Sequence, residues 1–272
     1  MILIKFNSEE KMKNQCSIIY NTCDKYECLW NGFFKLLDKY WNSCELKIIL
    51  NTEEKSFSYG NFNIERPMHL NVGLSWSQRI VNSLNSITTP YVIMTLDDFW
   101  LKDSVDVLEL QHCIDLMDSD KKIKCINFAP QPPPNKEFRD EKKYEKRGRF
   151  ATYRINAQIA IWRVDYLKNI MRSYENPWQF ELSGSFRSVI KGGTLLSIKR
   201  GERSPFVYDH GFLVVRGMIN KELAEYFLKN ENINVNFPFK EYNPEEYYDN
   251  KSGKFKRILG YFRDAIISLF RK

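Results

Sequence analysis

Several features that mark particular protein classes are missing from this 272-residue sequence. It contains no run of about 18 apolar residues, which excludes a membrane-spanning helix. Its six cysteines include no Cys-x-x-Cys pair, so neither a zinc site nor a disulfide framework is indicated. The amino terminus has too short an apolar stretch for a signal peptide, and we therefore expect a cytoplasmic protein with free thiols.

The charge is not strongly of one sign either. Lys and Arg number 41 and Asp and Glu number 34, and the resulting net charge of +7 suits anionic partners without selecting one. No nucleic-acid-binding motif accompanies this charge. Aromatic residues make up 15 % of the chain, which excludes a disordered protein. No internal repeat or Gly/Ser-rich linker divides the sequence, so we expect one main domain (residues 1–250) and a tail (253–272).

The first 128 residues alternate between two kinds of apolar pattern. Short β-branched runs predict strands, and longer segments with apolar residues every three or four positions predict helices. The predicted strands are 16–21, 46–50, 91–96 and 123–128, and the predicted helices are 26–40, 76–84 and 104–117. This alternation is typical of βαβ units, so we predict an α/β fold with a mainly parallel, doubly wound sheet flanked by helices.

The pattern changes after residue 128. Residues 130–149 hold four prolines and a dense run of mixed charge, and we interpret them as a long loop. The later elements are less regular. We predict strands at 157–162, 194–198 and 206–215, helices at 164–171 and 221–229, and a helix that starts at Asn176-Pro177-Trp178.

Carboxylates follow three of the predicted strands, as Asp24, Glu53-Glu54 and Asp97-Asp98. Ligands of open α/β sheets bind outside the carboxyl ends of the strands. Acids in the first two loops can accept hydrogen bonds from a base or a ribose. A pair in the third loop can hold a hard divalent cation that bridges a diphosphate. Two adjacent acids after a strand can equally cap a helix or lie in a solvated loop, so the pattern alone leaves both interpretations open.

The stretch WSQRIVNSLNSITTPYVIMTLDDFWL (76–101) resembles the amino-terminal half of GT-A glycosyltransferases. In that family an Asp-x-Asp or Asp-Asp motif after the fourth strand binds a metal and the donor diphosphate. The resemblance implies a GT-A-like, Rossmann-like fold whose donor half covers about residues 1–128. It also implies a divalent cation, Mn²⁺ or Mg²⁺, held by Asp97 and Asp98, with Asp24 and Glu53 contacting the donor base.

The segment NAQIAIWRVDYLKNIMRSYENPWQFELSGSFR (156–187) is similar to the part that these enzymes use for acceptor binding and catalysis, here about residues 150–230. Glu181 then corresponds to the base that takes the proton of the attacking acceptor hydroxyl. Glu175 stays open as a rival base, because the usual Glu-Asp pair is replaced by Gln-Phe-Glu. The resemblance also assigns three acceptor contacts and one further metal ligand: Trp162, Trp178, Arg187 and, for the metal, His210.

In the tail, apolar residues such as Phe255, Ile258, Leu259 and Phe262 recur at helical spacing beside basic residues. A basic amphipathic helix of this kind binds anionic membrane surfaces, although a helix docked on its own domain has the same pattern.

The resemblance is to bacterial enzymes of surface polysaccharide, O-antigen and capsule synthesis. It implies an inverting, metal-assisted glycosyltransferase on the inner face of the cell membrane, with a nucleotide-sugar donor (a UDP-sugar is favoured) and a lipid-linked glycan acceptor. Two alternatives remain. A sugar nucleotidyltransferase would need a Gly-rich loop after the first strand, where this chain has NTCDKYE. A non-catalytic module that binds membrane or glycan is the other.

Overall fold

The computed structural model describes residues 9–68, 73–209, 212–215, 217–235, 238 and 240–242. Nine strands form its main sheet, and two more form a small antiparallel pair. The main strands are β1 (Cys16–Asn21), β2 (Ile48–Asn51), β3 (Ile64–Glu65), β4 (Tyr91–Leu96), β5 (Ile123–Asn127), β6 (Asn135–Glu137), β7 (Tyr144–Arg147), β8 (Ala160–Arg163) and β9 (Thr194–Ile198). The small pair is β10 (Val214–Val215) and β11 (Met218–Ile219).

The α-helices whose bounds the structure describes are α1 (Glu27–Tyr40), α2 (Trp76–Asn85), α3 (Val107–Ser119), α4 (Val164–Ile170), α5 (Pro177–Lys191) and α6 (Lys221–Glu231), and residues 9–13 are helical as well. Local sequence explains where they begin. In α2 the Ser75 hydroxyl accepts a bond from the Gln78 backbone N–H while the Gln78 side chain accepts one from the Ser75 N–H. Asn176 and Gln179 exchange the same two bonds at the start of α5, where Pro177 occupies the first turn. None of the described helices is long and apolar enough to cross a membrane.

The strand order of the main sheet is β3-β2-β1-β4-β8-β5-β9-β7-β6. Seven of the nine strands run in one direction, while β7 and β8 run in the other. Helices cover both faces, and alternate residues of each central strand belong to different cores. In β4, for example, Ile93 packs with α1 and α3, whereas Val92 and Met94 pack with α2, α4 and α5. The predicted α/β fold, with a mainly parallel sheet between helices, is confirmed.

The strand register brings several loops to one edge of the sheet. Asn21 at the end of β1 lies opposite both Asn51 of β2 and Leu96 of β4. Since β8 runs the other way, its first residue, Ala160, lies opposite the end of β5 at Asn127. The residues that follow β1, β2, β4, β5 and β9 therefore meet the segment that precedes β8. We call this edge the carboxyl edge.

Two predictions for the second half were wrong. Residues 130–149 are not a loop, because β6 and β7 form a hairpin that joins the sheet next to β9. Tyr144 and Arg147 are buried in this hairpin, whereas Lys136, Glu137 and Lys146 are exposed, so a segment rich in charge completes this side of the sheet. No long strand covers 206–215: Tyr208 forms only an isolated bridge with Leu101, and β10 has two residues.

All six cysteines lie in the described part of the chain and carry free thiols, as predicted. His210 and the amphipathic tail 253–272 lie outside the described residues.

Candidate active site at the carboxyl edge

Two adjacent carboxylates, Asp97 and Asp98, follow β4 at the carboxyl edge. Asp97 is buried, and its Oδ2 atom accepts a hydrogen bond of 2.5 Å from the Thr22 hydroxyl. Burial raises the pKa of Asp97 to about 7. Burial and the nearby charge of Asp97 together raise the pKa of Asp98 well above its usual range, although a backbone hydrogen bond with Val214 opposes this shift.

This carboxylate pair fits a divalent cation. Among the described residues no positively charged side chain offsets either carboxylate, and two adjacent like charges, one buried and one partly buried, are costly without such a partner. Carboxylate oxygens are the ligands that Mg²⁺ and Mn²⁺ prefer. The described residues contain no group of three metal-ligating side chains, so Asp97 and Asp98 would need further ligands from a substrate, from water or from another part of the chain.

Thr22 and Trp30 fix how Asp97 is bonded. The buried Trp30 Nε1–H donates to the Thr22 hydroxyl oxygen at 2.8 Å. An indole N–H can only donate, so the Thr22 oxygen is the acceptor and its own proton is free to point at Asp97. Trp100 adds a bond from its Nε1 to the Asp97 carbonyl at 3.0 Å. Thr22 was not among the predicted site residues. It directly follows β1, at the strand end where ligands of α/β sheets bind, and this position could have identified it.

Asp24 and Glu53 lie at the carboxyl edge as expected, but each is bonded to the loop of the other. The Asp24 carboxylate accepts hydrogen bonds from the backbone N–H groups of Glu53, Glu54 and Lys55. Glu53 Oε2 in turn accepts a bond of 2.6 Å from the Asp24 N–H. These bonds tie the loop after β1 to the loop after β2, so the two residues hold the shape of the edge in this structure.

Arg79 of α2 is a site residue that sequence reasoning missed. Its side chain is 8 % exposed and forms an ion pair of 2.7 Å with Glu53 Oε1. It also donates to the carbonyl oxygens of Leu74 and Thr22. This buried arginine joins the two loops and offsets the charge of Glu53. The signal in the sequence was the position of this arginine, in the first turn of the predicted helix that precedes β4.

Glu181, the predicted base, reaches the carboxyl edge from α5. Its Oε1 atom accepts a bond of 2.9 Å from the backbone N–H of Ala157, three residues before β8. Partial burial raises the pKa of this carboxyl group above its usual range. A carboxylate with a raised pKa is a stronger base, which is the property that proton abstraction requires.

The segment Asn156–Gln158 holds Glu181 in place and continues toward the carboxylate pair. The Asn156 side-chain oxygen accepts bonds from the Asn127 side chain and from the Gln158 backbone N–H. Gln158 then accepts a bond of 2.9 Å from the Tyr208 hydroxyl. Tyr208 is close enough to Asp98 for that charge to raise its pKa further, after burial has raised it. One segment thus links the predicted base to the surroundings of the carboxylate pair.

Glu175, the rival base, is in a different environment. It forms an ion pair with Arg187 in which both carboxylate oxygens accept bonds of 2.6 Å, and each side chain is 1 % exposed. Arg187 Nε also donates to the Ile170 carbonyl. Neither group can reach a ligand in this arrangement. The structure therefore does not support Glu175 as a base or Arg187 as an acceptor contact.

The two tryptophans assigned to the acceptor are also placed differently from each other. Trp162 is 1 % exposed and belongs to the core between β8 and the helices, so the structure does not support a contact between its ring and an acceptor. Trp178 is 65 % exposed on the first turn of α5, three residues before Glu181. Its ring is accessible to a ligand at this end of the helix.

Comparisons with known proteins give distant likenesses. No protein-family model and no curated protein matches the sequence. A fragment of S. aureus TarS is 10 % identical, with a TM-score of 0.48 over 70 % of this chain and 59 % of that chain. The same fragment was solved with UDP-GlcNAc. The bifunctional IspDF of Campylobacter jejuni is 15 % identical, with a TM-score of 0.38 over 71 % of this chain and 52 % of that chain.

A third likeness is to a CMP:2-keto-3-deoxy-manno-octonic acid synthetase in complex with CTP, at 13 % identity and a TM-score of 0.40 over 72 % of this chain and 94 % of that chain. This chain spans less than two thirds of the TarS fragment and of IspDF. Likenesses at these TM-scores establish neither a family nor an activity.

Proposed function

We propose that this protein is a metal-assisted glycosyltransferase that moves a sugar from a nucleotide-sugar donor to a glycan acceptor. The observation that carries the proposal is the carboxyl edge itself. A carboxylate pair follows β4, with Asp97 buried and Asp98 partly buried, no described cation neutralises it, and Glu181 lies at the same edge with a raised pKa. Donor and acceptor would meet between these two groups.

The residues of the chain have separate tasks in this reaction. Asp97 and Asp98 would hold a divalent cation, which neutralises the charge that develops on the departing nucleoside diphosphate. Thr22 keeps Asp97 in one orientation. Glu181 accepts the proton of the acceptor hydroxyl as the oxygen attacks the anomeric carbon. A base that deprotonates the attacking hydroxyl suits direct displacement, so we propose that the anomeric carbon is inverted.

We further propose a lipid-linked acceptor in bacterial surface polysaccharide synthesis, with the tail 253–272 holding the enzyme at the inner face of the membrane. Support comes from the basic amphipathic pattern of that segment. Truncation after Ser252 should abolish sedimentation with liposomes that contain anionic lipid, while nucleotide binding persists. Equal sedimentation of the truncated and full chains would refute the membrane role.

The donor site is tested by thermal unfolding in the presence of UDP, GDP, CDP, ADP or CMP, each with and without Mn²⁺. A ligand at about 100 times its Kd adds about 2.7 kcal/mol to the free energy of unfolding, which gives a measurable rise in Tm. We expect one nucleotide to stabilise the protein, and to do so more strongly with Mn²⁺.

A matched pair of variants links this effect to the carboxylates. Asp98→Asn should remove the Mn²⁺-dependent part of the stabilisation. Asp103→Asn replaces an exposed Asp five residues away that is paired with Arg203, and it should leave the stabilisation unchanged. The proposal fails if no nucleotide stabilises the folded protein or if both variants behave as the wild type.

A further inference from the structure

A pocket of about 470 Å³ opens at the carboxyl edge beside the proposed active site. Its walls come from three strand ends: Ala129, Pro130 and Gln131 follow β5, Gln158 precedes β8, and Arg200 follows β9. Phe212 supplies the remaining wall. The volume falls within the range of about 300–1,000 Å³ that is usual for small-molecule sites. One or two sugar rings would fit in this space.

The pocket is joined to the catalytic residues by Gln158. The side-chain oxygen of Gln158 accepts a hydrogen bond from the hydroxyl of Tyr208, and the charge of Asp98 acts on that hydroxyl and contributes to its raised pKa. The residue before Gln158 in the chain, Ala157, carries the N–H that binds Glu181. The wall of the pocket formed by Gln158 is therefore connected to the predicted base through Ala157 and to the surroundings of the carboxylate pair through Tyr208.

Arg200 is the single charged residue among the six that line the pocket. It is exposed and forms no ion pair with any described residue, in contrast to its basic neighbours. Lys199 is paired with Glu137 and Arg203 with Asp103. An arginine presents a planar fork of N–H donors that matches a carboxylate or a phosphate.

Phe212 is held in an unusual backbone conformation. Its φ of +56° lies in the left-handed region, which bulky residues seldom adopt. Its ring stacks on Phe99, at 5.6 Å between centroids, and Phe99 stacks on Tyr208. The result is an aromatic wall fixed beside a cationic group. Aromatic faces pack against the C–H groups of sugar rings, while a carboxamide such as that of Gln158 bonds to their hydroxyl groups.

We propose that this pocket binds the acceptor and that Arg200 selects an acceptor sugar with an anionic group, either a carboxylate or a phosphate. The assignment as an acceptor site rests on the proposed glycosyltransferase function. The selection of an anionic sugar rests on the pocket alone. Arg200 acts here by binding the substrate and takes no part in proton transfer.

Saturation-transfer difference NMR on the full-length protein without nucleotide tests the selection. Three probes are compared: methyl β-glucuronide for the carboxylate, glucose 6-phosphate for the phosphate, and methyl β-glucoside as the neutral sugar. We expect at least one anionic probe to bind about tenfold more tightly than the glucoside, as one charge-assisted hydrogen bond predicts. Arg200→Gln should remove that difference, whereas Arg203→Gln, which removes the same charge outside the pocket, should preserve it.

The inference is overturned if all three probes bind equally, if none binds, or if the two arginine variants have the same effect. A preference for the glucuronide would identify the anionic group of the acceptor as a uronic acid carboxylate, and a preference for glucose 6-phosphate would identify it as a sugar phosphate. Thermal unfolding with nucleotides tests the transferase proposal independently of these sugar probes. Anionic sugars that bind to a protein insensitive to every nucleotide would refute the transferase proposal while leaving Arg200 as a determinant of acidic-sugar binding.

Discussion

Replacing Glu175 by glutamine separates the two acids that sequence reasoning offers as catalytic base. Glu175 and Arg187 form a two-point ion pair at 2.6 Å, and both side chains are 1 % exposed. Glu175→Gln leaves the buried guanidinium without a counter-charge, and removing one partner of a buried pair costs about 3–5 kcal/mol. At about 2–4 °C per kcal/mol for a domain of this size class, Tm should fall by roughly 6–20 °C.

Thermal unfolding and urea denaturation of three variants provide the assay. Glu181→Gln is the matched control: the amide oxygen of glutamine can still accept the bond from the Ala157 N–H, so its Tm should change little while transfer is lost. The double variant Glu175→Gln/Arg187→Met removes the unpaired charge and should recover much of the stability. A Glu175→Gln protein with wild-type Tm and no turnover would refute this assignment of roles.

Three further predictions concern the surroundings of the carboxylate pair. The raised pKa values mean that the folded, metal-free protein binds more protons than the unfolded chain between about pH 4 and 7, so its stability should fall as pH rises through this window. Asp98→Asn should flatten that dependence and raise Tm at pH 8 in EDTA; an unchanged slope would contradict it. Thr22→Val should cost about 1–3 kcal/mol in urea denaturation because the buried Trp30 N–H loses its acceptor, whereas Thr22→Ser should not. Gly32→Ala should cost about 1–3 kcal/mol by the same assay, because the methyl group overlaps the Trp100 ring, and a neutral result would count against this packing.

The elements of the first half could be predicted because their local patterns agree with their tertiary roles. β1 and β4 match the predicted runs residue for residue, since both strands lie inside the sheet, are covered on both faces and are mostly apolar. The three acidic loops also lie where the α/β pattern puts them, because parallel strands bring their carboxyl ends together.

Other features depend on contacts between distant residues. Nothing local separates Glu175 from Glu181, because one is paired through Arg187 twelve residues away and the other meets the backbone of Ala157. The sequence likewise gives no reason to separate Trp162 from Trp178, yet the first is buried and the second is exposed. The hairpin at 135–147 was missed because its outward charges conceal the buried Tyr144. The fold was therefore easier to predict than the role of any one side chain.

The hairpin of β6 and β7 also covers a side of the sheet that could otherwise pair with another chain. The sheet ends in β3 on one side and β6 on the other, strands of two and three residues, so little unpaired backbone is available to another chain. Removal of the hairpin would expose β9, whose sequence TLLSI is apolar and buried, as the new margin of the sheet. A variant of this protein that lacks residues 135–147 should consequently form intermolecular β-structure and aggregate. The charged hairpin would then protect the sheet from pairing with other chains.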